Sequence, residues 1–304
     1  MEKTFYSNGK LLITGEYAVL DGAKALALPT KFGQYLRISP GKDQVILWKS
    51  FDADRSVWFE DVIHFSDIKN KTHFDSTQGI KNTLIEILHQ AYIQNNNFIN
   101  NSEGYKIITE LTFPRFWGLG TSSTLINNIA MWLEIDAFEL LRKSFGGSGY
   151  DIACAQNDTP IIYHLENETP LIETVSFNPA FTKNLYFVYL NKKQNSKEAI
   201  QSYYKKQHHV TEIIEKINAI TNIILNTNNL ITFSEALNLH EIIMSHVLEM
   251  QTVKEAFFPD FTGTIKSLGA WGGDFVLAVS EENPSPYFKT KGYTIIVPYE
   301  DMIK

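Results

Sequence analysis

A glycine-rich turn that leads directly into an apolar helical stripe constrains the fold of this chain more than any other stretch. It reads FPRFWGLGTSSTLINNIAMWLEI over residues 113–135. Leu125, Ile129 and Leu133 recur every four residues, which is the spacing of one helix face packed on a core. The sequence therefore predicts a buried helix that begins just after the glycine turn, residues 118–120.

The glycine turn combines the features of an anion-binding loop. The first amides of a helix have no partner within the helix, and the helix dipole adds partial positive charge there. Gly118 and Gly120 let backbone N–H groups approach an anion without obstruction by a Cβ atom. The hydroxyls of Thr121, Ser122 and Ser123 can donate to phosphate oxygens or ligate a metal. We interpret the stretch as a phosphate cradle.

The alternative is a tight turn in which a serine caps a structural helix. No Gly-Lys-Ser/Thr sequence occurs, so the turn is not a Walker A loop, and it lacks the third glycine of a dinucleotide fingerprint. The glycine turn by itself leaves both interpretations open.

Composition limits the class of protein. The chain has 304 residues, 44% of them hydrophobic, which is enough for two domains. Its net charge of −7 argues against a nucleic-acid binder, and an anionic substrate would need a local positive pocket. A single cysteine, Cys154, excludes an internal disulfide and fits a reducing compartment. With no apolar leader and no membrane-spanning run, we expect a cytoplasmic protein.

Strand-like and helix-like stretches alternate, so the predicted fold class is α+β. We expect a nucleotide-binding domain over residues 1–168 and a substrate domain over residues 169–304. The predicted elements are a hairpin at 9–30, strands at 35–39, 44–48 and 105–113, helices at 79–94 and 137–145, a polar loop at 95–102, a strand at 184–190, helices at 197–225 and 234–250, and strands at 274–280 and 293–299.

Three further stretches make the chain resemble the GHMP kinases, the superfamily of galactokinase, homoserine kinase, mevalonate kinase and phosphomevalonate kinase. GKLLITGEYAVL near the start is similar to the family's first motif, and PRFWGLGTSSTL to its second, phosphate-binding motif. KSLGAWGGDF near the end is similar to the third motif, and GSGYDIA to the segment that holds the catalytic aspartate. The motifs occur in family order and span most of the chain.

The resemblance implies a two-domain fold, with an N-terminal domain similar to domain 2 of ribosomal protein S5 and a ferredoxin-like C-terminal domain. It also implies ATP and Mg²⁺ as cofactors, Ser122 as a magnesium ligand, and Asp151 and Lys10 as catalytic residues. The implied nucleotide-binding residues are Pro114, Gly118, Leu119, Gly120, Thr121, Ser122 and Ser123. The implied substrate-binding residues are Glu16, Tyr17, Ser148, Gly149, Lys192, Lys193, Gly269, Ala270 and Gly272.

Asp151 would orient the acceptor hydroxyl or take its proton. Lys10 would sit near Asp151, where a neighbouring ammonium lowers the pKa of a carboxyl group. Asp151 would then remain ionised and be a weak base, and Lys10 could instead lower the pKa of the acceptor hydroxyl. The sequence does not choose between these two possibilities.

Two departures from the family pattern concern activity. Trp271 stands where the third motif has glycine, which would crowd a loop expected to approach the substrate. Mevalonate kinases carry a metal-binding glutamate at the position of Leu140, and Glu139 is one step away. Phosphomevalonate kinases tend to lack that glutamate, and Tyr17 also favours their branch. These differences leave metal ligation open.

Every candidate residue also has a purely structural interpretation. Asp151 could cap a helix, Lys10 could be a solvated lysine, and Glu16 could lie in a surface turn or pair with a lysine. Trp271 is expected to pack in the core, and Cys154 to be a buried thiol. We assign no function to His208, His209, His240 and His246.

The predicted function is transfer of the ATP γ-phosphate to mevalonate or phosphomevalonate, a step of isoprenoid precursor synthesis. The alternatives are a diphosphomevalonate decarboxylase and a non-catalytic nucleotide-binding protein. The expected partner is a small anionic substrate, with no nucleic acid and no membrane, and the protein would be a monomer or a homodimer.

Overall fold

The computed structural model describes residues 1–192, 203–204 and 210–304. These residues form two compact units, each assembled from separate segments of the chain. Unit 1 contains Met1–Gly9, Phe32–Arg115 and Leu119–Gln156. Unit 2 contains Lys10–Lys31, Phe116–Gly118 and the described part of Asn157–Lys304. The units thus interleave along the sequence, and the boundary at residues 168/169 stays a prediction.

Strands and helices alternate along the chain. The strands are β1 (Lys3–Leu12), β2 (Ala25–Pro40), β3 (Val45–Phe51), β4 (Val57–His64), β5 (Gly104–Leu111), β6 (Ile161–Glu166), β7 (Thr169–Thr174), β8 (Leu185–Tyr189), β9 (Thr264–Ser267), β10 (Phe275–Val279) and β11 (Ile296–Pro298). The helices are α1 (Phe65–Asn70), α2 (Gly79–Gln94), α3 (Asn97–Asn100), α4 (Thr121–Leu133), α5 (Ala137–Ser144), α6 (Tyr150–Gln156), α7 (Val210–Asn226), α8 (Leu230–Leu248), α9 (Val253–Phe257), α10 (Ser285–Thr290) and α11 (Tyr299–Met302).

Unit 1 is a mixed sheet packed against helices. Strand β3 pairs antiparallel with β4 and parallel with β5, and β5 pairs antiparallel with the later part of β2. Alternate residues of these strands, such as Ile46 and Trp48, face a core that also takes the apolar stripes of α2, α4 and α5. Burial of Ile129 and Leu133 on α4 accounts for the helical spacing seen in the sequence.

Unit 2 contains an antiparallel sheet of β11, β8, β10 and β9, in that order. Its apolar residues, among them Val188, Ile265 and Val276, pack with Phe258 and Phe288 from the helices. Helix α8 packs against both α7 and β9. The first residues of β2 pair with β6, which forms an antiparallel pair with β7. Since β9 contains the first two residues of the third motif, this packing fixes where the 269–273 loop starts.

Several element predictions are confirmed, and others need correction. The helices at 79–94 and 137–145 and the helix after the glycine turn are present, and the helix predicted at 234–250 is α8. The loop at 95–102 is wrong, because burial of Phe98 and Ile99 stabilises the short helix α3 there. The predicted hairpin at 9–30 needs correction at its turn. Strands β1 and β2 do pair, but a longer connection that contains a 3-10 turn, Ala18–Asp21, joins them.

Two predictions lie wholly or partly outside the described residues. Of the helix predicted at 197–225, only residues 203–204 and the part from Val210 onward are described, the latter as α7. Lys193, His208 and His209 lie outside the described residues. In the described part of the chain, no helix combines the length and the apolar character needed to cross a membrane.

Candidate phosphate-binding and acceptor sites

The glycine turn needs glycine for two separate reasons. Gly118 and Gly120 have φ values of 68° and 98°, in the left-handed region that side chains disfavour. At Gly118, a Cβ atom would lie 1.9 Å from Oδ2 of Asp274. Gly118 therefore accommodates a carboxylate that rests directly on its backbone.

Helix α4 begins with amides that no intrahelical bond uses. The first helical bond runs from Thr124 N to Gly120 O at 2.9 Å, so the amides of Thr121, Ser122 and Ser123 precede it. Ser122 is exposed, whereas Ser123 is buried and its hydroxyl donates to Gly120 O at 2.9 Å. The three hydroxyls are thus not equivalent, and Ser122 is the serine of the turn that faces solvent.

A buried polar network fixes α4 to its surroundings within unit 1. Ser7 Oγ donates to Asn128 Oδ1 and accepts from Asn127 Nδ2, both at 2.9 Å. Asn128 Nδ2 donates to Gln34 O at 2.9 Å, which ties the helix to β2. Sequence reasoning missed these asparagines. Two adjacent amides within a buried apolar stripe are the signal that could have identified them.

Asp151 lies in unit 1, on a helix that packs against α4. Helix α6 begins at Tyr150, so Asp151 lies inside its first turn, and its role stays a prediction. Gly149 precedes the helix with φ 92°, and its carbonyl accepts from the amide of Ile152 at 3.0 Å. At the other end of α6, Gln156 Nε2 donates to Asn127 Oδ1 at 3.0 Å. The helix that carries Asp151 is therefore hydrogen-bonded to α4, the helix that follows the glycine turn.

Ser148 is half-buried just before Gly149. Pro114 is exposed and Leu119 is fully buried, so they differ in how they could serve a nucleotide. The roles of Pro114, Ser148 and Leu119 stay predictions.

Lys10, in unit 2, is partly buried near the end of β1. Its Nζ donates to Gly118 O at 3.0 Å. The ammonium is thus held against the first glycine of the turn, which differs from the solvated lysine considered as its structural alternative.

Glu16 lies in a buried cluster of charged and polar side chains within unit 2. Its carboxylate accepts a hydrogen bond from Lys266 Nζ, and Glu241 Oε1 lies 3.2 Å from the same ammonium. Glu16 Oε2 is 3.3 Å from His240 Nε2, which in turn accepts the amide of Gly15 at 3.1 Å. Glu16, Lys266, Glu241 and His240 are all at most 3% exposed. Of the two structural interpretations of Glu16, pairing with a lysine is confirmed.

The cluster has two carboxylates and one ammonium, and this excess of negative charge favours protonation of a carboxylate. Burial, partly offset by Lys266, raises the pKa of Glu16 to about 7. Burial also raises the pKa of Glu241 and holds the pKa of His240 well below its usual range. Among the described residues Glu16 Oε2 has no hydrogen-bond partner, and the lone pair of His240 Nε2, 3.3 Å away, is already used by the Gly15 amide. The cluster therefore favours one shared proton near neutral pH.

Tyr17 and Trp271 join the first motif to the third. The backbone N–H of Trp271 donates to Tyr17 Oη at 2.8 Å, and its indole N–H donates to Gln251 O at 3.0 Å. Trp271 is 3% exposed, which confirms the expected packing role. Its indole packs with Tyr203 and Met244 in a buried apolar cluster.

The 269–273 loop follows β9 directly. Gly269 and Gly272 have positive φ values of 68° and 71°, and a Cβ atom at Gly269 would meet no atom of the described residues within 4 Å. Ala270 O accepts from the amide of Gly273 at 3.0 Å, which closes the loop. Gly269 thus borders open space, whereas Trp271 of the same loop points into the core.

Lys192 lies beside the end of this loop in unit 2. Its carbonyl accepts from the amide of Asp274 at 2.9 Å, and its ammonium lies 3.5 Å from the centre of the Phe257 ring. Lys192 is exposed and could meet an anion, and that role stays a prediction. Cys154 is buried, as expected, and no cluster of metal-ligating side chains occurs among the described residues.

The architecture defines the class of fold. A mixed sheet with helices and a second, antiparallel sheet match the two-domain fold of the GHMP kinases, whose solved structures cover nearly the whole chain. No protein-family model and no curated protein matches the sequence.

Individual solved structures show how far the similarity extends. Mevalonate kinase of Methanococcus jannaschii has a TM-score of 0.68 at 16% identity, covering 96% of this chain and 95% of its own. Streptococcus pneumoniae phosphomevalonate kinase, in complex with phosphomevalonate and AMPPNP, has a TM-score of 0.69 at 15% identity, with 95% of each chain covered. Lactococcus lactis galactokinase, complexed with galactose, has a TM-score of 0.65 at 13% identity, covering 95% of this chain and 88% of its own.

Proposed function

We propose that this protein is an ATP-dependent kinase that phosphorylates a small anionic alcohol or phosphate, most specifically mevalonate or phosphomevalonate. One observation carries the proposal. The glycine-led amino end of α4, with three amides outside the helical bonds, belongs to the same unit as Asp151, whose helix packs on α4. An anion site beside a carboxylate suits phosphoryl transfer, which depends on positioning and charge neutralisation.

The amino end of α4 would bind the terminal phosphates of ATP. The amides of Thr121, Ser122 and Ser123 are the donors, and the helix dipole adds favourable charge. Mg²⁺ usually keeps several waters and binds through one or two protein oxygens plus the phosphates. The exposed Ser122 hydroxyl fits such a site, and the bound ion would neutralise phosphate charge.

Asp151 would act on the acceptor. The acceptor oxygen forms a bond to the γ-phosphorus while the bond from that phosphorus to the β–γ bridging oxygen breaks, which releases ADP. For an alcohol, the hydroxyl proton passes to Asp151 or to water; an ionised phosphate acceptor has no proton to lose. Lys10 would supply positive charge beside Gly118.

The acceptor is the finer part of the proposal. The similar structures include a mevalonate kinase, a phosphomevalonate kinase and a galactokinase, so the fold does not choose among acceptors. Tyr17 and the KS…D frame of the third motif favour the phosphomevalonate branch. We propose that Glu16, Tyr17 and Lys192 with the 269–273 loop form the acceptor side. Residues 169–304 would then serve the acceptor, and residues 1–168 would serve the nucleotide and also contribute Glu16, Tyr17 and Asp151 to the acceptor.

The test is turnover by the purified chain with ATP and Mg²⁺ against mevalonate, phosphomevalonate and galactose. ADP release should accompany a phosphorylated product, identified by mass spectrometry, with one of the first two acceptors. Asp151→Asn should abolish turnover. Arg142→Gln, on the exposed side of the neighbouring helix α5, is the matched surface control.

Other outcomes would replace the proposal. Release of CO₂ from diphosphomevalonate would identify a decarboxylase instead. Binding of ATP–Mg²⁺ without turnover of any acceptor would favour a non-catalytic nucleotide-binding protein. Cytoplasmic location and a monomeric or homodimeric state belong to the same proposal, and fractionation and light scattering would test them.

A further inference from the structure

The 15–17 turn that follows the first motif is strained. Gly15 has φ 84°, and Tyr17 has φ 59° with ψ −50°, a combination that is rare for a bulky residue. Such a backbone persists only where its surroundings over-determine it, and strain of this kind clusters at functional sites. The contacts that hold the turn therefore merit a functional interpretation.

Three residues from later in unit 2 hold the three residues of the turn, one each. His240 Nε2 accepts the amide of Gly15 at 3.1 Å. Lys266 donates to the carboxylate of Glu16, and the N–H of Trp271 donates to Tyr17 Oη at 2.8 Å. His240, Lys266 and Trp271 are each at most 3% exposed, so water does not compete for these contacts.

Two of these residues, Lys266 and Trp271, are themselves part of the third motif. Lys266 ends β9 together with Ser267, whose hydroxyl donates to Glu241 Oε2 at 3.0 Å. Trp271 is the central residue of the 269–273 loop, and its indole is tied to Gln251 O. Lys266, just before the loop, and Trp271, at its centre, are thus each hydrogen-bonded to a residue of the 15–17 turn.

We propose that His240, Lys266 and Trp271 are positioning residues that fix the 15–17 turn and the 269–273 loop to each other, so that both present a preset surface to the acceptor. The proposal rests on the proposed function, in which these two segments form the acceptor side. A preset surface lowers the entropy lost on binding and holds the reacting group in line. None of the three residues is required to touch the acceptor.

Tyr17→Phe is the sharpest test, because it removes only the oxygen that accepts the Trp271 amide. Hydrogen exchange of peptides covering residues 13–20 and 268–274 should become about five- to tenfold faster, the effect of losing one ordinary hydrogen bond. The KM for the acceptor should rise by about the same factor, while the KM for ATP stays unchanged. Tyr299→Phe is the control, since that buried hydroxyl bonds Phe177 O instead.

The outcomes separate this inference from the proposed function. Unchanged exchange in both peptides would overturn the positioning role, whether or not the protein is a kinase. Faster exchange with an unchanged acceptor KM would overturn the link to the acceptor. Faster exchange in Tyr17→Phe, together with no turnover by the wild-type protein, would support the coupled turn and loop and count against the kinase.

A second pair of variants tests His240 without altering the turn itself. His240→Leu removes the acceptor of the Gly15 amide, so exchange in the 13–20 peptide should become about tenfold faster. His240→Gln offers an oxygen in place of Nε2 and should restore most of the protection. Equal exchange in the two folded variants would show that the imidazole serves packing alone and would contradict the proposal. If His240→Leu does not fold, exchange in His240→Gln decides, and loss of protection there would equally contradict it.

Discussion

Gly118 illustrates how one residue can meet two constraints at once. Its φ of 68° disfavours any side chain, and the carboxylate of Asp274 occupies the space that a Cβ atom would need. Asp274 Oδ2 would lie 1.9 Å from that atom, which is well inside van der Waals contact. The two effects can be separated experimentally, because another glycine of unit 2 shares only the first.

Gly118→Ala should destabilise the protein more than Gly269→Ala does. Both glycines have a φ of 68°, but in the part of the chain that the structure describes, a Cβ atom at Gly269 meets nothing within 4 Å. Strain alone should cost about 1 kcal/mol at either position, and the collision with Asp274 should add about 1–3 kcal/mol at Gly118. Urea unfolding of the two variants measures the difference. Equal losses would show that Asp274 moves away without cost.

The buried carboxylates predict how stability varies with pH. Burial raises the pKa of Glu16 to about 7 when folded, from 4.5 when unfolded. The folded protein then binds more protons between these values. The stabilisation, about 3 kcal/mol at most, is complete below the unfolded pKa and is lost as the pH rises through the folded one. The free energy of unfolding contributed by this group should therefore fall between about pH 5 and pH 8.

Glu241→Gln is the matched variant for the pH experiment. It removes one of two negative charges and leaves the ion pair of Lys266 with Glu16 in place. The pKa of Glu16 should then move back towards its usual value, because Lys266 no longer has a competing carboxylate. The fall of stability with pH should become shallower. A slope identical to that of the wild type would contradict the shared-proton interpretation.

At the scale of the element, α4 is held by amides within its own buried face. Asn127→Leu would leave the hydroxyl of Ser7 and the amide of Gln156 without their shared partner. We expect a loss of about 2–3 kcal/mol, the cost of buried polar groups left unpaired. Asn222→Leu on the exposed side of α7 is the control and should have little effect. Thermal unfolding of both variants gives the comparison, and equal stability would contradict the network's role.

The amino end of α4 predicts opposite effects of one substitution on stability and on binding. Ser122→Asp places a negative charge at the positive end of the helix, which should stabilise the protein by about 0.3–1 kcal/mol. The same charge would repel phosphate, so ATP affinity should fall by tenfold or more. Ser122→Asn, a neutral change of similar size, should leave stability nearly unchanged and weaken binding less. Calorimetry and thermal unfolding measure both quantities, and tighter ATP binding by Ser122→Asp would exclude an anion site.

Whole-molecule stability should report nucleotide binding even where chemistry is blocked. At about 100 times its dissociation constant, AMPPNP with Mg²⁺ should stabilise the protein by about 2.7 kcal/mol. Asp151→Asn should retain this shift in melting temperature, because the proposed phosphate site lies at the amino end of α4, and should lose turnover. Loss of both properties in a variant that folds would mean that Asp151 supports the nucleotide site itself.

Sequence reasoning identified features that are local along the chain. The glycine turn and the stripe on α4 are each encoded within a short stretch, so periodicity and glycine spacing are sufficient to predict them. Lys266 was part of a recognised motif, and yet nothing local indicated that it would be fully buried. Its partner Glu16 and the adjacent pair His240 and Glu241 lie far away in sequence. Their cluster forms only when unit 2 folds, and one sequence does not show which distant residues will come into contact.

The asparagines of α4 and the short helix α3 show a second limit. Polarity predicted a loop at α3 and offered no reason for Asn127 and Asn128 within an apolar stripe. In both cases burial decided the outcome, through Phe98 and Ile99 in α3 and through the hydrogen bonds of the asparagines in α4. Burial depends on the packing of the whole unit, which propensity does not describe.

The interleaving of the two units has a consequence for synthesis on the ribosome. Unit 2 takes residues 10–31 from early in the chain and needs segments that are translated much later, since Thr30 bridges to Ile303 and the amide of Lys304 donates to Pro29 O. A nascent chain of half length would already carry Glu16, but the ammonium that neutralises it would not yet be made. The early segment must therefore wait for about 10–50 seconds, at elongation rates of about 5–20 residues per second, before its partners emerge.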